Sequence, residues 1–466
     1  MSYQELTGVA KRPLCRLIER DTLRSNSRAR WLLAGCLLAV AYDAPAAAVF
    51  VVNTAGDPGP AGTTSLRQAI ALGAESVAST TIVTFDNSLR NSTITLTQGV
   101  IVVGSAEFNL YIEGPGSREL TIAGNGTTPV LGFQSSSSKI LSLSGLTVTN
   151  GKEIAGSGIA GGGCLMAKYS TLELNDVIVT GCTAGDYGGG VLLDGSTLSM
   201  VNATVTGNTS QRGGGGIQAR FAGGIHSNIY LTDSTVSNNT TYGYGAGIAS
   251  AGSNNVRITR SLISGNTVLS PADDATGGGG ISLKQTYVQA LILNSTIANN
   301  TAYAFGGGIG LFDAMSSQVT QVNFSTIVGN YSGFGYGGNG VHAVGTFSAN
   351  SSIIANNFNR DDNVDIDGAV NADHTLILNI GSGHVSGQNN IFEVDPKLGA
   401  LTFNGGKTLT FLPKIGSPVI NAGGSAGTLH TDQRNLPRPV GTASDIGSVE
   451  RQTIEDEIFR DGFESS

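Results

Sequence analysis

Residues 295–301 read Ser-Thr-Ile-Ala-Asn-Asn-Thr, and residues 306–309 read Gly-Gly-Gly-Ile. This pair of segments recurs from about residue 140 to 357, with gaps of 26 to 34 residues between equivalent positions. The aliphatic position of the first segment falls at Val148, Val179, Val205, Val236, Ile263, Ile297, Ile327 and Ile353. The residue that closes the Gly cluster falls at Cys164, Val191, Ile217, Ile248, Ile281, Ile309 and Val341. A unit this short and this rich in Gly cannot bury a face alone, so neighbouring copies must stack.

The segments inside each repeat predict strands, because they are short, β-branched or aliphatic, and bounded by turn residues. Stacked coils place equivalent strands parallel and ~4.8 Å apart, and parallel crossovers are right-handed. The sequence therefore predicts an all-β, right-handed parallel β-helix over at least residues 131–357. One buried column should hold Val205, Val236, Ile263, Ile297 and Ile327. The Asn after this column should form a ladder at a corner, since Asn tolerates the left-handed backbone conformation and can hydrogen-bond to its copies.

Composition agrees with one long solenoid. The chain has 466 residues, of which 67 are Gly, and only 13% are charged. The net charge is −8, and it is −11 without the first 48 residues. Nucleic acid is disfavoured as a partner, because its binding needs a clustered basic surface. We expect a monomer with a neutral surface rich in Ser, Thr and Asn.

The first 48 residues predict an export signal. Seven basic residues precede the short apolar run from Trp31 to Tyr42, and Ala46, Ala47 and Ala48 supply a cleavage site before Val49. The run is too short to span a bilayer, so no transmembrane segment is expected in the mature chain. An alternative stays open, because residues 33–36, Leu-Ala-Gly-Cys, match a lipobox that would make Cys36 a lipidated N-terminus. Either route leads to secretion or display at the cell surface, associated with the outer membrane.

Residues 49–130 predict a cap and the first coils. Ser65 and Gln68 fit a capping box, and Leu66, Ala69 and Ile70 share one helical face. Such a helix would cover the open end of the solenoid, where unpaired strand edges invite aggregation. Residues 50–54, Phe-Val-Val-Asn-Thr, and 64–70, Thr-Ser-Leu-Arg-Gln-Ala-Ile, resemble the CSLREA domain of exported β-helix proteins. Thr64 stands where that motif has Cys, and Gln68 where it has Glu.

The character of the chain changes after the repeats, which occupy residues 131–394 and are similar to those of polymorphic outer-membrane protein passengers. Residues 416–423, Gly-Ser-Pro-Val-Ile-Asn-Ala-Gly, precede 431–439, Thr-Asp-Gln-Arg-Asn-Leu-Pro-Arg-Pro, and 445–450, Asp-Ile-Gly-Ser-Val-Glu. Residues 395–450 thereby resemble the choice-of-anchor Q domain, which ends exported β-helix proteins. The acidic tail 451–466 is similar to short sorting tails, so the resemblance implies surface attachment.

Either catalysis or a purely binding role is compatible with a parallel β-helix. Degradation of acidic polysaccharides needs either carboxylates for Ca²⁺ with Arg or Lys, or two carboxylates across the sugar. Arg212 follows its ladder Asn by four residues, and the same offset elsewhere gives Asp186, Gly243, Ser270, Ala304 and Phe334. No row of charge is expected from these positions. The prediction is therefore an adhesive or structural passenger without catalysis, with a polysaccharide lyase or hydrolase as the alternative.

Metal and cysteine chemistry have weak signals. Asn363, Asp365 and Asp367 resemble the start of a calcium loop, but His374 stands where its final Glu should be. A solvated loop is the preferred interpretation, and no cofactor is expected. Cys164 and Cys182 are the cysteines left after export, and a buried reduced pair and a disulfide both remain open.

Aromatic residues recur in the loop between the ladder Asn and the Gly cluster. The sequence predicts an exposed ridge of Tyr187, Tyr244, Phe305 and Tyr336. Exposed rings bind sugar faces or proteins well, so the expected partner is a glycan or a protein at the cell surface. The alternative is that the rings only pack against each other at the corner.

Overall fold

The computed structural model describes residues 47–155, 161–251, 255–269, 277–284, 289–312, 319–333, 337–381 and 383–452. The predicted cleavage site begins at Ala46, and most of the leader, with Cys36, lies outside the described residues. So do Tyr336 and the tail from residue 453 onward. The described chain winds as a right-handed parallel β-helix whose coils contribute up to four strands each.

Four stacks of parallel strands build the solenoid. Sheet 1 begins with Ala48–Val52, Thr80–Phe85 and Asn109–Glu113, includes the first halves of Ile140–Thr149 and Thr171–Thr180, and continues with Thr197–Val201, Asn228–Thr232, Asn255–Thr259, Gln289–Leu293, Val319–Asn323, the later parts of Val341–Asn350 and Ile366–Asp373, and His384–Ser386. Sheet 2 comprises Ser92–Thr95, Leu120–Ala123, the second halves of the same two ten-residue strands, Thr204–Thr206, Thr235–Ser237, Leu262–Ser264, Thr296–Ala298, Thr326–Val328, Ile353–Ala355, Leu376–Ile377 and Ile391–Phe392.

The other two sheets complete each coil. Sheet 3 comprises the two-residue strands Lys152–Glu153, Thr183–Ala184, Thr209–Ser210, Thr240–Thr241, Thr267–Val268, Thr301–Ala302 and Tyr331–Ser332. Sheet 4 comprises Ile101–Ala106, Leu131–Ser135, Leu165–Lys168, Val191–Asp194, Ile217–Arg220, Ile248–Ala251, Ile281–Lys284, Ile309–Phe312 and the first parts of Val341–Asn350 and Ile366–Asp373. The Gly clusters form the turn that leads from sheet 3 into sheet 4.

The predicted core column is confirmed. Val205, Val236, Ile263, Ile297 and Ile327 pair in register along sheet 2 and are all fully buried. Two of the predicted landmarks are displaced by one residue. Ile354, not Ile353, pairs with Ile327. Leu165, not Cys164, pairs with Val191. In both places two adjacent apolar residues fit the sequence repeat equally well, and only the backbone pairing shows which of them is equivalent to the residue in the neighbouring coil.

The predicted Asn ladder is present, but the Asn that forms it is not the residue with the left-handed backbone conformation. The ladder side chains are fully buried at the turn from sheet 2 to sheet 3, and they belong to Asn208, Asn239, Asn266, Asn300, Asn330 and Asn357. The left-handed backbone conformation belongs to the residue before each of them, as at Gly207, Asn238 and Asn299. The first ladder side chain accepts a hydrogen bond from the backbone of Cys182. Cys182 is joined to Cys164 by a disulfide, which answers the question that the sequence left open.

A short helix closes the N-terminal end, as predicted. It spans Leu66–Glu75, and Ser65 and Gln68 form the capping box. Its buried residues Leu66, Ala69 and Ile70 join the core that runs through the solenoid. The helix therefore supplies the apolar cover that the first coil needs.

Residues 395–452 fold back onto the outer face of sheet 2. They begin with an antiparallel pair of strands, Leu398–Thr402 and Thr410–Pro413. Ser448 hydrogen-bonds to both Thr296 and Thr326, two outward residues on adjacent strands of sheet 2. The outward position two residues later changes from Thr206 and Ser237 to the apolar residues Ala298, Val328 and Ala355. These three join Phe411, Val419 and Ile446 in a second, smaller core.

Candidate functional site

A row of charged side chains crosses the outer face of sheet 4. Val191 and Leu193 point into the core, so Asp194 points outward. Pairing aligns this outward position on successive coils at Lys168, Asp194, Arg220, Ala251 and Lys284. The expectation that no row of charge forms is therefore wrong. That expectation considers only the position four residues after the ladder Asn, in the loop before the Gly cluster. The row lies instead at the end of the strand that follows the cluster.

Two ion pairs hold the first part of this row. Arg220 donates to both carboxylate oxygens of Asp194, at 2.7 and 2.8 Å. Arg212 lies 2.8 Å from Asp186 in the loop beside it. Burial alone lowers the pKa of Arg220, but the hydrogen bonds and charge of Asp194, with the charges of Tyr187 and Asp186, raise it above its ordinary value. Arg220 is therefore a permanent cation within the row.

Three of the predicted aromatic residues lie beside the charged row. Tyr187 and Tyr244 pair with Gly213, which lies between them, and Phe305 pairs with Gly277. The sequence predicts an exposed ridge, whereas these three rings are half-buried. The guanidinium of Arg220 lies 5.2 Å from the centre of the Tyr187 ring, and the Lys284 ammonium lies 5.3 Å from that of Tyr244. The fourth predicted member, Tyr336, lies outside the described residues.

Two coils beyond Lys284, a histidine held by a carboxylate occupies a different outward position of sheet 4. Nδ1 of His342 lies 2.9 Å from Asp367, and each side chain is 17% exposed. The imidazole stacks on Phe305 with ring centres 4.9 Å apart and lies against Phe312 at 5.6 Å. The carboxylate orients the imidazole ring through its contact with Nδ1.

The structure does not bring together the three residues that resemble the start of a calcium loop. Asn363 is exposed, and Asp367 faces His342 on the outer surface. Asp365 comes before the strand Ile366–Asp373 and is fully buried, where it accepts hydrogen bonds from Asn357 and Asn379. Residues two apart in one strand would share a face, so the two aspartates are separated because Asp365 still belongs to the turn that precedes the strand. Within the described ranges, no group of three acidic, His or Cys side chains is placed to hold a metal ion.

Sequence reasoning missed the charged row, although a signal was present. Lys168, Asp194, Arg220, Ala251 and Lys284 all lie three residues after the first residue of their sheet 4 strands. Aligning the repeats on the residue after the Gly cluster would therefore have displayed the row. His342 has no such signal, because it occupies a different outward position of sheet 4.

Comparisons with known proteins agree on the fold. A family model described as a right handed beta helix region matches residues 163–358. A crystal structure of pectate lyase Pel9A is similar with a TM-score of 0.52 and 14% sequence identity, and the match covers 87% of this chain and 97% of that chain. No curated protein matches the sequence.

The expectation that the chain is not an enzyme is corrected by this similarity. The matched structure is that of a pectate lyase, and the charged row removes the observation on which the expectation rested. At this identity the likeness establishes the fold alone. Among the described helices, none has the length and apolar character needed to cross a bilayer. The chain is a right-handed parallel β-helix protein.

Proposed function

We propose that the outer face of sheet 4 binds an extended polysaccharide. The observation that carries this proposal is the single line formed by Tyr187, Tyr244 and Phe305, each with a basic side chain against its ring. Aromatic rings stack on the apolar faces of sugars and lose little rotamer entropy when they do so. Guanidinium, ammonium and carboxylate groups supply directional hydrogen bonds to hydroxyl and acidic groups.

A linear polymer fits this face better than a folded protein does. The centres of protein interfaces are depleted of charged residues, and this row is rich in them. Equivalent side chains repeat along the solenoid at ~4.8 Å, which is comparable to the length of one sugar in an extended chain. Weak contacts then add along the polymer, since several coils engage one molecule at once.

A glycan array with the secreted chain tests this function. The double variant Tyr244→Ser/Phe305→Ser should weaken binding about tenfold or more, since each ring contributes about 1 kcal/mol. The control Tyr230→Ser/Phe403→Ser removes two exposed rings from other surfaces and should bind normally. If the Tyr244/Phe305 variant binds normally but melts several degrees lower, the rings only pack the corner and the proposal is wrong.

Cleavage of the bound polysaccharide is the second candidate. Asp186 and Asp194 both interact electrostatically with Arg220. Two carboxylates and a cation therefore lie close together near Tyr187. Hydrolysis needs two carboxylates, and lytic cleavage needs a base beside a cation. The similar fold of a pectate lyase supports testing both reactions. Release of reducing ends or unsaturated products that is lost in Asp194→Asn but kept in Asp361→Asn, an exposed position, would establish it.

We further propose that the protein works outside the cell, secreted or displayed on the surface. The leader-like residues 1–48, the CSLREA-like cap and the choice-of-anchor Q-like region 395–450 support this proposal. N-terminal sequencing of the exported chain should begin near Val49. Lipid attached to Cys36 would establish the lipoprotein alternative instead.

A further inference from the structure

The proposed binding face repeats every two coils, although the backbone repeats every coil. Aromatic rings occur at Tyr187, Tyr244 and Phe305. The coils that pair with them carry Gly213 and Gly277 at the equivalent position. Gly337 is equivalent in the next coil, because it too lies four residues before the first residue of its sheet 4 strand, Val341. Rings and glycines therefore alternate along the face.

Packing explains why the rings cannot occupy every coil. A Cβ atom added at Gly213 would lie 3.1 Å from Cζ of Tyr244, and one added at Gly337 would lie 2.8 Å from Cδ1 of Phe305. At Gly277 the added atom would lie 2.2 Å from Cζ of Phe312. A ring on one coil thus fills the space that a side chain on the neighbouring coil would need.

Basic side chains follow the same two-coil period. The strands that follow the three glycines carry Arg220, Lys284 and His342, and each of these lies against the ring of the preceding coil. Lys168 occupies the same position as Arg220, two coils earlier. The coils that carry Tyr187 and Tyr244 have Asp194 and Ala251 at the end of their strands. Positions for a ring and positions for a cation therefore alternate at ~10 Å for each pair of coils.

We propose that this face selects a polysaccharide in which an anionic sugar alternates with an uncharged one, an inference that rests on the proposed function. Two coils match one disaccharide of an extended chain. The anionic group meets Lys168, Arg220 or Lys284, and the uncharged sugar stacks on the intervening ring. A polymer with a charge on every sugar would place a carboxylate beside Asp194, where like charges repel. The anionic group is either a carboxylate or a sulfate.

Titration calorimetry on the full secreted chain tests this selectivity with three sets of oligosaccharides of equal length. Hyaluronan carries one carboxylate for each disaccharide, polygalacturonate carries one on every sugar, and chitin oligosaccharides carry none. Hyaluronan should bind at least about tenfold more tightly than either of the others. Lys284→Gln should remove most of that advantage, whereas Lys407→Gln, an exposed lysine of the C-terminal region, should not.

A gain-of-function variant guards against a folding defect. Ala251→Lys adds a cation at an intervening coil and should raise the affinity for polygalacturonate severalfold relative to hyaluronan. If the unmodified protein binds polygalacturonate as tightly as hyaluronan, the alternation does not determine specificity, although the polysaccharide site stands. If no oligosaccharide or glycan binds, the proposed function itself is wrong, and this inference falls with it.

Discussion

At the residue scale, each ladder asparagine satisfies every polar group that its burial removes from water. The Asn266 amide donates to the carbonyl of Val236 at 3.0 Å and to Asn300 Oδ1 at 2.9 Å. Its own oxygen accepts from the backbone and side-chain nitrogens of Asn239. The last glycine of the cluster makes room for it, since a Cβ atom at Gly247 would lie 2.9 Å from the Asn266 amide nitrogen. The ladder Asn and the last Gly of the cluster therefore occur together in each repeat, because the Asn side chain occupies the space that a side chain at the Gly position would need.

Replacing Asn266 by Ala should destabilise the solenoid by about 3 kcal/mol or more. The substitution leaves the carbonyl of Val236 and both nitrogens of Asn239 buried without these partners, and each such group costs about 1–3 kcal/mol. Urea unfolding followed by circular dichroism measures the change. Asn255→Ala is the matched control, because Asn255 makes similar contacts to Asn228 on the exposed surface. Equal losses in the two variants would contradict the role of the buried ladder.

At the element scale, the ladder ends in a carboxylate rather than an amide. Asp365 accepts at 2.7 Å from both nitrogens of Asn357 and at 2.9 Å from the backbone of Asn379. Burial raises the pKa of Asp365 to about 7, although these hydrogen bonds oppose the rise. The last described coils are thus held by a group that changes its charge near neutral pH.

This carboxyl should make stability fall as the pH rises. Its pKa in the folded chain lies above the ordinary 3.8, so its stabilisation is complete below about 3.8 and is lost as the pH rises through about 7. The melting temperature of the wild-type chain should therefore fall between about pH 4 and pH 7 relative to that of Asp365→Asn, and the difference should level off at higher pH. The exposed control Asp361→Asn should follow the wild type. Parallel melting curves for wild type and Asp365→Asn would show that Asp365 titrates as an ordinary carboxyl.

The sequence predicts the strands and the helix well where the buried residues recur at a regular spacing or a capping motif is present. The Val205 column and the capping helix at Ser65 were both predictable, because an apolar period and a capping box leave a local pattern. The turn conformation was assigned to the wrong neighbour, because Gly207 and Asn208 both suit a corner. The row containing Asp194 and Arg220 was missed, since loops of unequal length separate it from the ladder Asn. Only strand pairing reveals that alignment.

At the scale of the whole molecule, residues 395–452 act as a clamp on the side of the solenoid. A buried ionic cluster builds the clamp from Asp432, Arg434, Arg438, Asp445 and Glu450. Sequence could not predict where it docks, because the contacts join residues more than 100 positions apart. The change from the polar residues Thr206 and Ser237 to the apolar residues Ala298 and Val328 is a local sequence signal that this face of sheet 2 is covered.

Arg438 connects the clamp to the solenoid. It donates to Glu450 at 3.1 Å within the clamp, to Asn294 at 2.9 Å in the solenoid, and lies over the ring of Phe324 at 4.7 Å. Arg438 and Glu450 are both fully buried at their side chains. Neutralising the arginine therefore leaves a carboxylate without its countercharge in an environment that holds little water.

Arg438→Gln should therefore release the clamp while the coils stay folded. The loss of one partner of a buried ion pair costs about 3–5 kcal/mol, and the solenoid coils keep their own ladders and core. Limited proteolysis should then cut within residues 395–452 at least several times faster, and the uncovered Val328, Ile353 and Leu376 should bind a hydrophobic dye. Arg360→Gln makes the same change at an exposed arginine and should alter neither measurement. If the whole chain instead unfolds in one step at a lower temperature, the clamp and the coils form one cooperative folding unit. The coils then need residues 395–452 in order to stay folded, and the prediction is wrong.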